Sequence, residues 1–402
     1  MRNIDRADKK LMKRINRLVV LNLMRQEGPI SRSHLAKKSS LNPATISSIT
    51  MTLIEEGIVR EIGSGESSGG RKPILLELNK ENVYAIGVDM GIEKVSAGIV
   101  NIDGDLMVKE TLYFSKNGDF KDKVNTIKKA IKKVINNENI AYEKVLGIGM
   151  GLHGVVNSKE GILSYAPAFN YYDINVKDYF EKEFEKVIKI QNDVRVMALG
   201  EKWFGKATEC EDFILLNVGM GIGAGIYVNG ELYEGKQFAA GEIGHIHITE
   251  ENIRCKCGRV GCLEALASGS AIKDRFLEKI KGGETSTLRD KFKGNLEKVT
   301  SKDIYEEGLL GDEICISIMK DTGYYLGLAI SILINILNPE KVLLAGGVSN
   351  AKEFIYDEIK RVVEEKSILN CKRLYIGETD LKENGGIIGA AALIIRDLFS
   401  IN

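Results

Sequence analysis

The chain has 402 residues, 44% hydrophobic and 28% charged, with 56 basic and 56 acidic side chains and a formal net charge of zero. That length predicts roughly two to three domains with sizeable cores. No segment approaches the ~20 apolar residues of a membrane span, Leu18–Met24 is too short and too closely followed by charge for a secretion leader, and six cysteines form no disulfide framework, so the composition argues against membrane and disulfide-scaffold classes and for a reducing cytoplasm.

The neutral total conceals a division. Residues 1–80 hold 15 lysines and arginines against 8 acidic residues, a balance of +7, while the other 322 hold 41 against 48, a balance of −7. A basic head on an acidic body fits a head that meets a polyanion, although a solvated basic face has the same composition.

Leu11, Ile15, Leu18, Val19 and Leu23 recur near helical spacing and predict an amphipathic helix over 11–26, ended by Gly28-Pro29. Ser31 can cap a second helix, Ser31–Lys38, and Asn42 a third, with Pro43 in its first turn, running to about Glu56. The third helix packs Ile46, Ile49, Leu53 and Ile54 and turns Ala44, Thr45, Ser47, Ser48 and Thr52 outward. Small hydroxylated side chains on such a face suit a major groove, as they suit any solvated helix. Strand-like runs Ile58–Ile62 and Ile74–Leu78 flank GSGESSGGRKP, which reads as a hairpin wing with Arg71 and Lys72 near its tip, or as an interdomain linker, or both. The candidate DNA contacts are Ser31, Arg32, Pro43, Ala44, Thr45, Ser47, Ser48, Thr52, Arg71 and Lys72.

From Val83 the texture becomes α/β. Strands are predicted at Tyr84–Asp89, Ser96–Asn101 and Leu106–Glu110, a helix at about Phe120–Asn137 and a buried strand at Val145–Met150. Phe213–Val218, Gly223–Val228 and the Asn229-Gly230 turn repeat the opening order, so GVDMGIEKVSAGIVNIDGDL pairs with LLNVGMGIGAGIYVNGELY as an internal duplication. Leu326–Leu337, interrupted by Ser331 and Asn335, reads as a core helix. Two related lobes around a cleft are predicted, with ligands between them.

Gly241–Glu264, GEIGHIHITEENIRCKCGRVGCLE, is the densest chemistry in the chain. One imidazole with Cys255, Cys257 and Cys262 makes the closed ligand set of a tetrahedral structural Zn2+ site, and Gly258 and Gly261 suit the turns needed to fold it. His245 and His247 share a face in an extended chain, so spacing leaves either as the fourth ligand. Buried free thiols are the alternative, which is the expectation for the scattered Cys210, Cys315 and Cys371.

These motifs together resemble the ROK family of bacterial repressors, open reading frames and sugar kinases. The likeness runs from about Leu11 to the end, and Gly241–Glu264 followed by Ala265–Ser268 is its specific part. A winged helix marks the family's transcription regulators, the xylose repressors of Gram-positive bacteria among them. The resemblance implies an α/β fold: a winged helix-turn-helix at 1–80, then a two-lobed, actin-like, ribonuclease H-like duplicated body. Its lobes would span 81–196 and 197–387, with a final helix at about 388–402 returning to the first. It implies His245, not His247, as the zinc ligand, and Asn170, Asn192, Asp193, Glu242, His245 and Glu264 as sugar contacts. Asp193 stands where the kinases hold their base. Ordinary caps and surface charge are the alternative for Asp193 and Glu242.

The run Asp89-Met90-Gly91-Ile92-Glu93-Lys94 departs from the kinases' D-x-G-G-T-K, placing a side chain and a negative charge where phosphate would approach. Met220 stands between Gly219 and Gly221 where kinases have threonine, whereas LAGGV at Leu344–Val348 keeps the adenosine-side glycine turn. The implied protein is not an enzyme but a repressor of a palindromic operator in double-stranded DNA. It would be a homodimer or dimer of dimers, released by a free sugar, xylose first and glucose second. The competing expectations are an active ATP-dependent sugar kinase with a regulatory head, and a repressor governed by a phosphosugar or a protein partner.

Overall fold

The computed structural model describes residues 2–64, 72–115, 118–136, 140–368 and 374–400, the side chains of 2–8, Ser64 and Ala168 excepted. Its contacts divide the chain into two compact units, Met1–Asp193 with Gly386–Asn402, and Val194–Gly385.

The first unit begins with α1 (Arg2–Glu27), β1 (Ile30–Ser31), α2 (Arg32–Ser39), α3 (Pro43–Glu55), β2 (Val59–Ser64) and β3 (Ile74–Leu78). The caps are where the sequence put them. Ser31 Oγ accepts from the His34 N–H at 3.2 Å, and Asn42 Oδ1 accepts from the Thr45 N–H at 2.8 Å, which satisfies donors that a helix start leaves open. Apolar spacing undershot α1, whose charged first turns carry no periodic apolar signal yet are good helix formers. Leu21, Leu35, Ile46, Leu53 and Leu76 are fully buried and form the core of this head. β2 and β3 pair antiparallel as a hairpin, and two residues of β1 join it in the order β1-β3-β2. The predicted contact Arg71 and most of the wing tip lie outside the described residues.

The chain continues through β4 (Tyr84–Met90), β5 (Lys94–Asn101), β6 (Leu106–Tyr113), α4 (Phe120–Ile135), β7 (Val145–Leu152), β8 (Val155–Asn157), β9 (Ile162–Ala166), β10 (Tyr171–Asn175), α5 (Val176–Phe184) and β11 (Val187–Asn192). Helix α6 (Asp193–Phe204) leads into the second unit, with β12 (Phe213–Val218), β13 (Ile222–Val228), β14 (Glu231–Leu232), α7 (Glu264–Ala267), α8 (Gly269–Lys281), α9 (Thr287–Lys291), α10 (Ser301–Leu309), α11 (Glu313–Leu337), β15 (Lys341–Ala345), α12 (Lys352–Lys366) and β16 (Tyr375–Glu378). Helix α13 (Gly385–Ile395) then returns the chain to the first unit.

The duplication is visible in topology. The first five-stranded sheet runs β11-β7-β4-β5-β6 and the second β14-β13-β12-β15-β16. Each is built from an antiparallel meander whose first strand pairs parallel with the strand after a helical crossover. The three-stranded sheet β10-β9-β8 was not predicted. Its strands are three to five residues long and alternate only loosely between buried and exposed positions, so a period-two pattern has little to register.

Helix α13 explains two glycines in the first sheet. A Cβ on Gly87 would lie 1.9 Å from the Ile387 carbonyl oxygen, and one on Gly149 would lie 1.8 Å from that of Ala390. The helix backbone therefore lies directly on the sheet, and α13 supplies alanines at 390–392 that are fully buried. Gly149→Ala is expected to separate these surfaces and to cost about 1–3 kcal/mol or more through overpacking. The check is the urea midpoint of the purified variant, and an unchanged midpoint would show that the helix can shift freely.

Candidate functional site

In the head, Ala44, Ser47 and Ser48 are exposed on α3, with Thr45 and Thr52 half-buried beside them, while Ile46, Ile49 and Leu53 are buried. Pro43 is exposed in the first turn and Lys72 is exposed just before β3. Two candidates have structural work of their own. Ser31 is buried and caps α2. Arg32 donates from Nε to Thr50 Oγ1 at 3.0 Å and from a terminal nitrogen to Glu61 Oε1 at 2.8 Å. It thereby joins α2, α3 and β2.

Elsewhere in the first unit, parallel pairing of β11 with β7 sets Asn192 opposite Leu152 at the strand ends. The residues just beyond converge. Asn192 Nδ2 donates to the Gly154 carbonyl at 3.0 Å and to Asp193 Oδ1 at 2.8 Å. His153 Nδ1 lies 3.4 Å from Asp193 Oδ2. Burial, and then the charge of Asp193, push the Asp89 carboxyl up to about 6, against the opposing pull of Lys94 and Lys109. Asn170 has an exposed side chain and left-handed backbone, φ 55°, after the turn Pro167–Phe169. The Phe169 ring meets the His153 ring edge-on at 6.4 Å. Sequence reasoning passed over His153 and gave Asp89 only a place in a phosphate loop. Their meeting with Asp193 spans 40 residues or more, and spacing along the chain carries no signal of it.

In the second unit, Glu242 precedes a single 3-10 turn, Ile243–His245. His245 and the three cysteines have ligand atoms all within 4.8 Å of one another. Cys257 Sγ lies 3.7 Å from Cys262 Sγ, and Cys255 Sγ lies 3.8 Å from His245 Nδ1. A zinc tetrahedron with Zn–S near 2.3 Å sets its sulfurs about 3.8 Å apart, so the donor set fits that ion. His247 is directed elsewhere. Its Nδ1 meets the Val260 carbonyl at 3.1 Å and its Nε2 meets Glu250 at 3.3 Å.

A short antiparallel ladder carries the cysteines. Ile248 N–H donates to the Gly261 carbonyl at 2.8 Å, and Leu263 N–H to that of Ile246 at 3.0 Å. Gly258 and Gly261 have φ +89° and +71°, and a Cβ on Gly261 would strike the Thr249 carbonyl oxygen at 2.2 Å. Burial and the neighbouring Cys257 thiol push Cys262 up to about 12. Cys257 comes down to about 6, because the Arg259 backbone and side-chain donors and the two other thiols outweigh its burial. Three thiols crowded beside an imidazole favour a shared cation, since binding a dication stabilises every thiolate at once.

The same ladder delivers Glu264, whose Oε2 accepts from the Ile222 N–H at 3.0 Å. The approach to Glu242 is held by Arg195, 1% exposed, which donates from one terminal nitrogen to the carbonyls of Phe238 at 2.9 Å and Ala240 at 2.7 Å. No motif in the sequence drew attention to Arg195. At the two turns that the sequence sets against the kinases' phosphate loops, Ile92 is 38% and Met220 61% exposed. Gly346, with φ +88°, packs against the Val218 carbonyl and the Asn217 side chain, so this glycine has a structural reason to be there. Cys210 and Cys315 are buried thiols as expected, and Cys371 lies outside the described residues.

A winged-helix head on a duplicated, sugar-kinase-like α/β body with a Cys3His cluster defines the class. Residues 85–397 match the ROK family and residues 13–60 match the winged helix-turn-helix DNA-binding family. The chain belongs to the ROK family. The xylose repressor of Caldicellulosiruptor bescii is 32% identical over 398 residues, covering 97% of this chain and 98% of that protein. A solved ROK family transcriptional regulator, described as a homolog of the Escherichia coli MLC protein, superposes with a TM-score of 0.83 at 31% identity, over 96% of this chain and 97% of its own. A ROK family glucokinase from Streptomyces griseus, solved with glucose and AMPPNP, gives a TM-score of 0.69 at 25% identity, over 77% of this chain and 99% of its own. Among the described residues no helix is long and apolar enough to cross a membrane.

Metal analysis of the purified protein is expected to find zinc in a one-to-one ratio to the chain. Cys262→Ser should abolish it and lower the melting temperature, because the hairpin loses its cross-link. Full zinc content in that variant would remove Cys262 from the ligand set.

Proposed function

We propose that the protein is a sugar-responsive transcriptional repressor that binds a palindromic operator in double-stranded DNA as a homodimer or dimer of dimers and releases it when a free sugar binds. The observation that carries this reading is the joining, in one chain, of a winged-helix head to a sugar-kinase-like body, over almost the whole length of a relative named as a xylose repressor. Residues 1–80 form the DNA-binding domain in this reading. Residues 81–196 and 197–387 form the two lobes, with 388–402 returning to the first. The protein would act in the cytoplasm.

Asn170, Asn192 and Asp193 on the first unit and Glu242, His245 and Glu264 on the second are the proposed sugar contacts. A neutral polyol needs fixed acceptors and donors, and polar groups committed to a hydroxyl discriminate sharply between sugars. Structural Zn2+ on His245, Cys255, Cys257 and Cys262 would keep His245 oriented and the hairpin closed. The sugar is proposed to be xylose, by likeness to the relative. The protein is proposed not to be an enzyme. Ile92 and Glu93 at one phosphate turn and Met220 at the other replace the small and hydroxylated residues that would cradle ATP, and Asp193 then serves as a ligand rather than a base. Sugar can release DNA only by binding one arrangement of the chain better than another.

The test is fluorescence anisotropy of duplexes from upstream of neighbouring sugar genes, titrated with protein and then with xylose, glucose, N-acetylglucosamine and their phosphates. Release by one free sugar supports the reading, and release only by a phosphosugar or by no sugar overturns the effector assignment. Asp193→Ala should leave DNA affinity unchanged and weaken the sugar response about tenfold or more, the range for a hydrogen bond to a charged group. A normal response in that variant would remove Asp193 from the sugar contacts. ATP-dependent turnover of a sugar that Asp193→Asn abolishes would restore the kinase reading.

A further inference from the structure

Helix α1 extends well beyond its apolar stretch, and its early turns lie beside the face of α3. Lys9, Met12, Lys13 and Asn16 of α1 line a single concavity of ≈ 750 Å³ together with Asn42, Ala44, Thr45, Ser48 and Ile49. The four α1 residues stand at i, i+3, i+4 and i+7, so they form one helical stripe directed at the start of α3. Lys9 and Lys13 are exposed, and among the described side chains neither has an acidic partner. The nearby Arg17 is committed, donating to Glu56 Oε1 at 2.9 Å, and Arg25 is partly buried with its guanidinium over the Phe399 ring. The basic charge of α1 thus splits into a structural part toward its end and an exposed part beside the α3 N-terminus.

We infer that Lys9 and Lys13 on α1 are phosphate contacts, and that the groove between α1 and the start of α3 seats one strand of duplex DNA. The inference rests on the DNA-binding reading and deepens it, by adding a helix that sequence motifs do not mark as part of the interface. Three observations point to a polyanion rather than an apolar partner. Two lysines one turn apart have Cβ atoms about 5–6 Å apart and present their charge along a line. Asn16, Asn42, Thr45 and Ser48 supply uncharged donors between them. The N-terminus of α3 adds its partial positive charge at the same place. Residues at the start of a recognition helix read base edges, and contacts to phosphate set its register without carrying sequence information. Lys9 and Lys13 therefore position α3, and the exposed side chains of α3 discriminate.

This division of labour has a measurable signature. Each neutralised phosphate contributes about 0.9 to the slope of log K against log salt. Lys9→Ala/Lys13→Ala in the full-length chain is expected to flatten that slope by about 1.8. At about 0.15 M salt the loss is about 30-fold if affinity at 1 M is unchanged. The loss should be equal for the tightest-binding upstream duplex and for an unrelated duplex of the same length. Ser48→Ala, by contrast, should lower the preference for the upstream duplex and leave the slope alone. Both α1 positions are exposed, so the melting temperature should not move, and Lys13→Glu serves as a single-site variant with a larger expected loss. If the wild-type chain binds duplex DNA and the double variant keeps the wild-type slope, the inference fails while the DNA-binding reading stands. A loss confined to the upstream duplex also overturns it. If the wild-type chain binds no duplex, the DNA-binding reading fails and takes this inference with it.

Discussion

The segment that carries Glu242 and Glu264 is arranged by the short antiparallel ladder that gathers His245, Cys255, Cys257 and Cys262. Ile243 and Leu263 fix the two ends of this segment in the core, with Ile246 and Ile248 packed against it, while much of the glycine- and charge-rich stretch between is exposed. The ladder brings Cys262 back beside His245, and the residue after next along the chain, Glu264, then reaches the Ile222 N–H. The carboxylate at the start of β13 therefore comes from the ladder's own strand, two residues beyond Cys262.

A second constraint acts through buried cations and absent side chains. Arg195 takes its charge into the interior and spends its donors on the carbonyls of the loop before Gly241. A charge buried this way is tolerated where fixed carbonyls accept from it. Gly87 and Gly149 do the complementary job in the first unit, where the lack of a side chain lets α13 lie on the sheet. The polar groups around Asp193 hang from the ends of β7 and β11, which pair in parallel with Asn192 opposite Leu152.

The basic residues of the head divide their roles by type and position. Arg32, Arg17 and Arg25 hold elements together, whereas Lys9 and Lys13 face the groove. Arginine suits the first task because its planar fork makes several fixed bonds at once, and lysine suits an exposed point charge. The net charge of the head accordingly overstates how much of it is available to a polyanion.

Much of this was legible in the chain itself. Asn42 and Pro43 marked the start of α3, the 3.6-residue period marked its buried face, and strand-turn-strand repeats marked the two meanders, because caps, turns and periodicity are local properties of the backbone. The Cys-x-Cys spacing likewise announced a shared ligand set. Spacing left His245 and His247 equivalent, the family resemblance favoured His245, and the fold supplies the physical reason by turning His247 toward Val260 and Glu250. The small sheet β8–β10, the carboxylate pair Asp89 and Asp193 with His153 beside it, the interior role of Arg195 and the approach of α1 to α3 were decided by tertiary structure. Each joins residues far apart in sequence, and such meetings depend on sheet order and helix packing, which no local pattern encodes.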